Sequence, residues 1–388
     1  MKLVVLVSRV PYPIEKGDKL RAFYQIKYLS ENNEIHLIAL SDRKPETKAA
    51  DALKPYCVSL HIFRLPKIAI FFNLIRALFC TIPFQAGYFF NSHVKRKIQH
   101  LIRNINPDHI YCQLIRTTEY VKLLPYPKTL DYQDVFSKGV ERRMTVAPWW
   151  MQPVFRCEYK RLLRYEKEVF DHFDHTTIIS QPDRDLIPHE KKDDILIIPN
   201  GVDYTYFEPQ KTEKEFQILF TGNMGYPPNA DAAQFLALEI LPIVHQEKPE
   251  ATLVLAGINP GEKIKAMQNQ YITVTGWVPD MRYYYARSQI FIAPMRLGTG
   301  LQNKLLEAMA MLLPCITSLL ANQALKALPG KEILVADSAS GFANHILKLL
   351  NDSHFADTIA NNGMQYVKKQ YNWAESVKKL EDCMRSEK

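Results

Sequence analysis

Short runs rich in β-branched and aromatic residues alternate along the chain with longer stretches of helical period, the signature of parallel sheets wrapped by helices. In the first half the predicted strands are 3–8, 34–39, 58–63, 109–113, 129–132 and 175–179. After the first of them, Ala22, Phe23, Ile26 and Leu29 fall on one face of a helix predicted over 18–29, with Asp18 placed to cap it. A second, similar series begins near Phe216, with strands over 217–221, 252–256, 272–275, 290–293, 314–317 and 333–336 and helices over 231–241, 301–311 and 341–351. Between the two series lies a stretch dense in turn formers, from Pro199-Asn200-Gly201 to Glu208-Pro209. The expectation is an α/β chain of two successive Rossmann-like parallel-sheet domains joined near residue 210. Ligands of such sheets bind beyond the carboxyl ends of the strands, so the cleft between the domains is the expected place for a site.

Composition narrows the classes. The 388 residues are comfortable for two cores, and 47% hydrophobic with 23% charged residues excludes a disordered chain. The net charge of +8 suits anionic partners such as nucleotide phosphates or acidic lipid headgroups. No helix-turn-helix, finger or RNA-binding signature accompanies it, so nucleic acid is not an expected partner. Six scattered cysteines without a C-x-x-C pair read as free thiols of a reducing compartment, mostly buried. The apolar N-terminus is only strand length before Ser8-Arg9, and the greasy run 68–84 is broken by Asn73, Arg76 and Pro83. A cytoplasmic protein is expected. None of the eleven histidines is paired at metal-ligand spacing and no Asp-x-Asp loop is present, so no catalytic metal is expected.

The chemistry concentrates in Pro294-Met295-Arg296-Leu297-Gly298-Thr299-Gly300-Leu301-Gln302-Asn303-Lys304-Leu305-Leu306-Glu307. An apolar strand ends, two glycines follow, and a run of helix formers begins. Glycines let backbone approach a ligand, and free N–H groups at a helix start favour an anion. Lys304 and Glu307, three apart, project from one face. A cation near phosphates and a carboxylate that accepts two ribose hydroxyls is what a nucleotide diphosphate requires. The plain alternative is a loop-to-helix junction with a surface Lys–Glu pair.

This run resembles the donor-binding motif of glycosyltransferase family 4, which has the GT-B fold. Further stretches agree in order: Ile198-Pro199-Asn200-Gly201-Val202-Asp203 is similar to the family's interdomain linker, and Phe220-Thr221-Gly222-Asn223-Met224 with Pro228-Asn229-Ala230-Asp231 resembles its first turn in the second domain. Val274-Thr275-Gly276-Trp277-Val278-Pro279-Asp280 is similar to the loop that faces the nucleobase, and Tyr371-Asn372-Trp373 to the head of a last helix that crosses back to the first domain. The first half matches through Pro11-Tyr12-Pro13 with Gly17, Asp18 and Arg21, and through Leu130-Asp131-Tyr132-Gln133-Asp134. The likeness is strongest to a bacterial branch associated with exopolysaccharide and capsule gene clusters.

The resemblance implies an acceptor-side domain over 1–210, a nucleotide-sugar-binding domain over 211–365 and a returning helix over 366–388. It implies a metal-independent hexosyl- or related transferase, acting with retention on a saccharide or lipid-linked saccharide acceptor. A nucleotide sugar is the co-substrate, and no other cofactor is expected. Glu307 falls on the ribose hydroxyls, and the backbone of Gly298, Thr299, Gly300, Leu301, Gln302 and Asn303 along the diphosphate and sugar. Gly222, Asn223, Trp277 and Val278 complete the donor contacts, with Gly17 approaching the phosphates from the first domain. Many members carry a second Glu eight residues before the ribose Glu; here that position is Thr299. The members' Arg and Lys pair after the first strand of the second domain is also missing, and Lys304, with Arg296, is expected to supply the charge on the departing diphosphate. Asp134 is the candidate that orients or deprotonates the acceptor hydroxyl, paired with Asp131 at the end of one strand, although either can instead cap the next helix. Glu158 and Glu166, in a charged helical stretch, read as surface residues.

Residues 68–103 combine Phe71, Phe72, Leu74, Ile75, Leu78 and Phe79 with Lys95, Arg96, Lys97 and Arg103. They fit either a peripheral contact at the inner face of a membrane or the core faces of two helices. Two other readings share the fold: a binding subunit without catalysis, which Thr299 motivates, and a sugar-nucleotide epimerase.

Overall fold

A computed structural model describes residues 1–14, 16–43, 47–79, 81–298 and 300–386. The chain divides into two compact units, 1–199 with 373–388, and 200–372. The division falls before residue 210 because the turn-rich stretch packs within the second unit: Val202 bridges Asn372, and the Tyr204 hydroxyl donates to the carbonyl of Val367 at 2.7 Å. The return occurs at residue 373, not at 366, because the helix Ser353–Gln370 stays in the second unit.

The first unit holds seven parallel strands, β1 (Lys2–Val7), β2 (Glu34–Ser41), β3 (Ser59–Arg64), β4 (His109–Gln113), β5 (Lys128–Asp131), β6 (His175–Ile178) and β7 (Leu196–Ile197), in the order β3-β2-β1-β4-β5-β6-β7. Strands β1 and β4 run side by side, Leu3 opposite His109 and Leu6 opposite Cys112, and the strand order reverses between them. Both faces are covered, so the central strands are continuous apolar runs (Leu3 to Val7 all buried) rather than alternating ones. The helix Gly17–Leu29 lies on one face, packed against the returning helix Trp373–Arg385, with Tyr24 stacked on the buried indole of Trp373 at 5.2 Å. Asp18 does not cap the helix, which opens at Gly17 after an uncapped Lys16; its carboxylate is held by Arg9.

The second unit has six parallel strands, β8 (Phe216–Thr221), β9 (Leu253–Ala256), β10 (Ile272–Gly276), β11 (Ser288–Ala293), β12 (Cys315–Thr317) and β13 (Leu334–Val335), ordered β10-β9-β8-β11-β12-β13. Its reversal lies between β8 and β11. The helix predicted over 231–241 starts earlier, at Pro227, and runs through a wider π turn over 236–240 before continuing to Glu247. Pro242 has no N–H to give Leu238, and the widened turn is where the ladder yields.

Glu158 and Glu166 are not surface residues. Both sit buried on the inner side of the helix Gln152–Phe170, where each accepts N–H groups from the start of another helix. Glu158 takes those of Phe84 and Gln85 at 2.8 and 3.2 Å, and Glu166 takes that of Ser137 at 3.1 Å. Free helix N-termini and carboxylates satisfy each other, which composition alone does not reveal. Within residues 68–103 the helix Ser92–Ile105 buries Val94, Ile98 and Ile102, a core face. The helix Lys67–Phe79 instead leaves Phe71 and Phe72 61% and 63% exposed.

Five of the cysteines are free thiols, of which Cys157 is exposed, so burial does not hold for it; Cys80 lies outside the described residues. Among the described residues no helix is long and apolar enough to cross a membrane.

Candidate functional site

In the second unit the strand order reverses between β8 and β11, and the carboxyl ends of such strands are where doubly wound sheets hold ligands. Strand β8 delivers Thr221 and Gly222; β11 delivers the loop 294–302. The backbone of Gly298 has φ 92°, a conformation that only glycine adopts without strain. Gly222 is required for a different reason. A Cβ there would stand 2.8 Å from Asn229 Nδ2 and 3.2 Å from Lys304 Nζ, so this backbone and two polar side chains share one small space. On its far side, a Cβ on Gly257 at the end of β9 would collide with the Gly222 carbonyl.

The helix after the loop is Asn303–Ala310, two residues shorter at its start than predicted. Gln302 stands at its N-cap without a side-chain cap, its amide turned back to the Gly300 carbonyl at 2.9 Å. The first N–H groups of the helix therefore have no side chain at their mouth from the cap residue. Asn303 is tied to Asn200 at 3.1 Å, and half-buried Leu301 packs on the core below. Thr299 lies outside the described residues.

Lys304 and Glu307 are not a surface ion pair. Both are half-buried, and each has its own neutral partner. Lys304 Nζ donates to Asn229 Oδ1 at 2.5 Å and lies 4.6 Å from the centre of the Phe220 ring. Glu307 Oε2 accepts the hydroxyl of buried Tyr285 at 2.9 Å, and that hydroxyl stands 3.0 Å from Thr221 Oγ1. Burial pushes the Lys304 ammonium down to about 7, against the pull of Glu307. It pushes the Glu307 carboxyl up to about 7, against the Tyr285 hydrogen bond and the Lys304 charge. Titratable groups shifted this far at the carboxyl ends of a sheet reversal make Lys304 and Glu307 candidates for a functional role. Asn229 and Tyr285 carry this geometry, and sequence pattern did not single out either. The one available signal for Asn229 was its place in the Pro228-Asn229-Ala230 turn.

The remaining residues divide. Asn223 turns its side chain to Gly225 N at 3.0 Å, at the rim of the same loop. Trp277, after β10, is 67% exposed, an indole face open to solvent beside half-buried Val278. Arg296 does not join Lys304. Its guanidinium is forked onto Asp231 at 2.8 and 3.1 Å, reaches Glu239 and lies over Phe235, so its charge is already engaged on the neighbouring helix.

With this geometry in place, residues 215–352 match the family described as Glycosyl transferases group 1. Among solved structures, the sucrose-phosphate synthase of Thermosynechococcus elongatus superposes with a TM-score of 0.71 at 16% identity, over 99% of this chain and 98% of that one. HepE of Anabaena, solved in complex with UDP, gives 0.70 at 14% identity over 98% and 99%. The fold is GT-B. An uncharacterized 44.6 kDa protein in the cps region of Klebsiella pneumoniae is 21% identical over 399 residues, 96% of each chain.

In the first unit of this GT-B chain the sequence candidates fare differently. Gly17 opens its helix with nothing within 4 Å of a Cβ, so no packing among the described residues requires glycine there. Asp131 is fully buried and paired with the equally buried Arg21 at 2.6 Å, while also accepting Tyr111 and Thr177 hydroxyls at 2.8 and 2.9 Å. It is a structural anion and not a partner for Asp134 at an open edge. Asp134 is exposed, accepts its neighbour Val135 N at 2.8 Å, and caps no helix. Protein surrounding it raises its carboxyl above the usual range, opposed by Arg142 and Arg116. Among the described residues no group of three or more His, Cys, Asp or Glu side chains could hold a metal.

Proposed function

We propose that the protein is a glycosyltransferase of family 4 that uses a nucleotide diphosphate sugar. The observation that carries this reading is the pair of separately held, near-neutral charges of Lys304 and Glu307 beneath the glycine-bearing loop 298–302. Glu307 accepts the ribose hydroxyls, the N–H groups of the loop and helix mouth lie along the diphosphate, and Trp277 with Val278 faces the base. The acceptor oxygen bonds to the anomeric carbon, the bond from that carbon to the diphosphate oxygen breaks with its electrons on the diphosphate, and Asp134 receives the hydroxyl proton. Lys304 in its ammonium form stabilises the charge that develops on the leaving group. The carboxyl of Asp134, lifted by the protein around it, is suited to accept that proton.

Retention of configuration, independence of metal and a saccharide or lipid-linked acceptor follow from the family resemblance. A role in cell-surface polysaccharide is supported by the Klebsiella relative from a cps region. The exposed Phe71 and Phe72 support peripheral membrane contact. The first test is thermal stabilisation by a panel of nucleoside diphosphates and their sugars, followed by release of nucleoside diphosphate with a saccharide acceptor. Stabilisation by none would end this reading. Stabilisation without any transfer product would favour a binding subunit, which Thr299, in place of the second Glu, motivates.

A further inference from the structure

The first unit also has a strand reversal, between β1 and β4, and arginines follow both of these strands. Arg9 follows β1 and Arg116 follows β4. Both guanidinium carbons lie over the same ring, Phe89, at 5.7 and 5.3 Å, and that of Arg116 lies 4.6 Å from the centre of Phe136 as well. Each cation rests against an aromatic face, and the charge of Arg9 is close enough to act on the Arg116 guanidinium. Arg9, about one-third exposed, has a carboxylate partner, Asp18 at 2.5 Å. Arg116 has none within ion-pair distance among the described residues. Its one hydrogen bond is to a neutral amide, Gln85 Oε1 at 2.9 Å, and its buried Nε is unpartnered. Burial, and then the charge of Arg9, push its guanidinium down to about 10 against the more distant pull of the Asp18 and Asp134 carboxylates, which still leaves it charged.

A half-buried guanidinium with an orphaned donor and a like charge nearby is stabilised when an anion joins it. Asp18 serves Arg9, and Asp134 acts on Arg116 without reaching ion-pair distance. A phosphate has the charge and acceptor oxygens to engage two forks at once, which a single carboxylate does not.

We propose that Arg9 and Arg116 form an anion site in the first unit that takes a phosphate or diphosphate group of the acceptor. The anion site stands on this geometry alone; that its ligand is the acceptor rests on the glycosyltransferase reading. Such a group reaches the site from two sources, a soluble sugar phosphate or a lipid-linked diphosphate. The helix Phe84–Phe89, which supplies both Gln85 and Phe89, packs against Lys67–Phe79, whose Phe71 and Phe72 are exposed. A lipid chain would have an apolar surface next to the phosphate.

Calorimetric titration of the full chain with inorganic pyrophosphate and with geranyl diphosphate, each in the presence of saturating UDP, tests the site. UDP occupies the second unit, so the binding that remains reports the first. Arg116→Gln is expected to weaken that binding about tenfold while UDP affinity stays within about twofold. Arg9→Gln, at a partly exposed position, is expected to weaken it about threefold and keeps the test open should Arg116→Gln fail to fold. Tighter binding of geranyl diphosphate than of pyrophosphate, lost in Arg116→Gln, assigns the lipid source; equal binding, lost likewise, assigns the soluble one. No pyrophosphate binding to the UDP-saturated protein, or binding that Arg116→Gln leaves intact, overturns the proposal. If UDP itself does not bind, uridine falls as the donor base, and comparison of wild type with Arg116→Gln still decides the anion site.

Discussion

The two sheets reverse their strand order at corresponding places, yet equip those places by opposite means. The first unit uses guanidinium groups, whose charge does not change in the physiological range, and anchors its floor with the fully buried Arg21–Asp131 pair. The second uses one ammonium and one carboxyl, each leaning on a neutral partner and each poised near 7. Fixed charge suits a site that must hold an anion whatever the conditions. Adjustable charge suits one where negative charge appears on a leaving group and must be met at that moment. The contrast also predicts different failures: breaking the Arg21–Asp131 pair should cost stability, whereas damage to Lys304 or Glu307 should cost binding and turnover.

The largest effect expected from this contrast is on the first unit. Asp131→Asn removes the paired carboxylate from the Arg21 charge at 0% exposure and leaves it the neutral Ile198 carbonyl as an acceptor. Breaking one side of a buried pair costs about 3–5 kcal/mol, so urea unfolding followed by circular dichroism should show a loss of that order. A loss below about 1 kcal/mol would mean that the carbonyl and nearby hydroxyls suffice for the guanidinium. The matching change in the second unit, Glu307→Ala, should leave the fold nearly as stable, because it removes a burdened carboxyl. It should instead weaken nucleotide binding by about 1.5–3 kcal/mol for each charge-assisted bond lost. Lys304→Ala is expected to lower turnover more than donor affinity, since its charge matters most as the diphosphate leaves. Equal losses in both would assign it to ground-state binding.

How far these sites were legible in the sequence depends on the range of the interactions that build them. Strand and helix periods are local, and the alternating β-rich and helical runs gave both sheets with their ends within a residue or two, save for the two-residue β7. The glycine loop and Glu307 were legible because strand, turn and helix start are consecutive. Tyr285 and Asn229 were not, because their partners lie 22 and 75 residues away and nothing local marks a buried tyrosine as a carboxylate holder. Arg296 and Glu166 were misjudged for the same reason. Each is charged and sits in polar sequence, and what it does is set by a partner 65 or 29 residues distant. Arg116 fell in no motif at all; only the fold brings it beside Arg9.

A pH series sharpens the comparison next. On the proposed function, donor binding by the second unit needs Lys304 charged and Glu307 ionised. Lys304 loses its proton as pH rises through about 7, and Glu307 gains one as pH falls through about 7. Affinity for UDP should therefore peak near neutrality and fall by up to about tenfold per pH unit on each side. The unliganded protein should show the reverse in its stability. The raised Glu307 contributes stability present below its unfolded value of 4.5 and lost as pH rises through 7. The depressed Lys304 contributes stability present above its unfolded value of 10.5 and lost as pH falls through 7. Their joint contribution is smallest where binding is best. A flat binding profile from pH 5 to 9, measured by calorimetry, would contradict the near-neutral assignment of both groups.

The smallest change separates holding from binding. Tyr285→Phe removes only the hydroxyl that donates to Glu307 and stands by Thr221, while the ring still fills its place against Phe291 and Phe207. The expected loss in UDP affinity at neutral pH is about 1 kcal/mol. That hydrogen bond favours the ionised carboxylate, so without it the carboxyl rises further and the acidic limb of the binding profile moves to higher pH. The alkaline limb, which belongs to Lys304, should stay where it was. A simple packing defect would lower affinity equally at every pH. Displacement of one limb alone is what a tyrosine acting through Glu307 must produce.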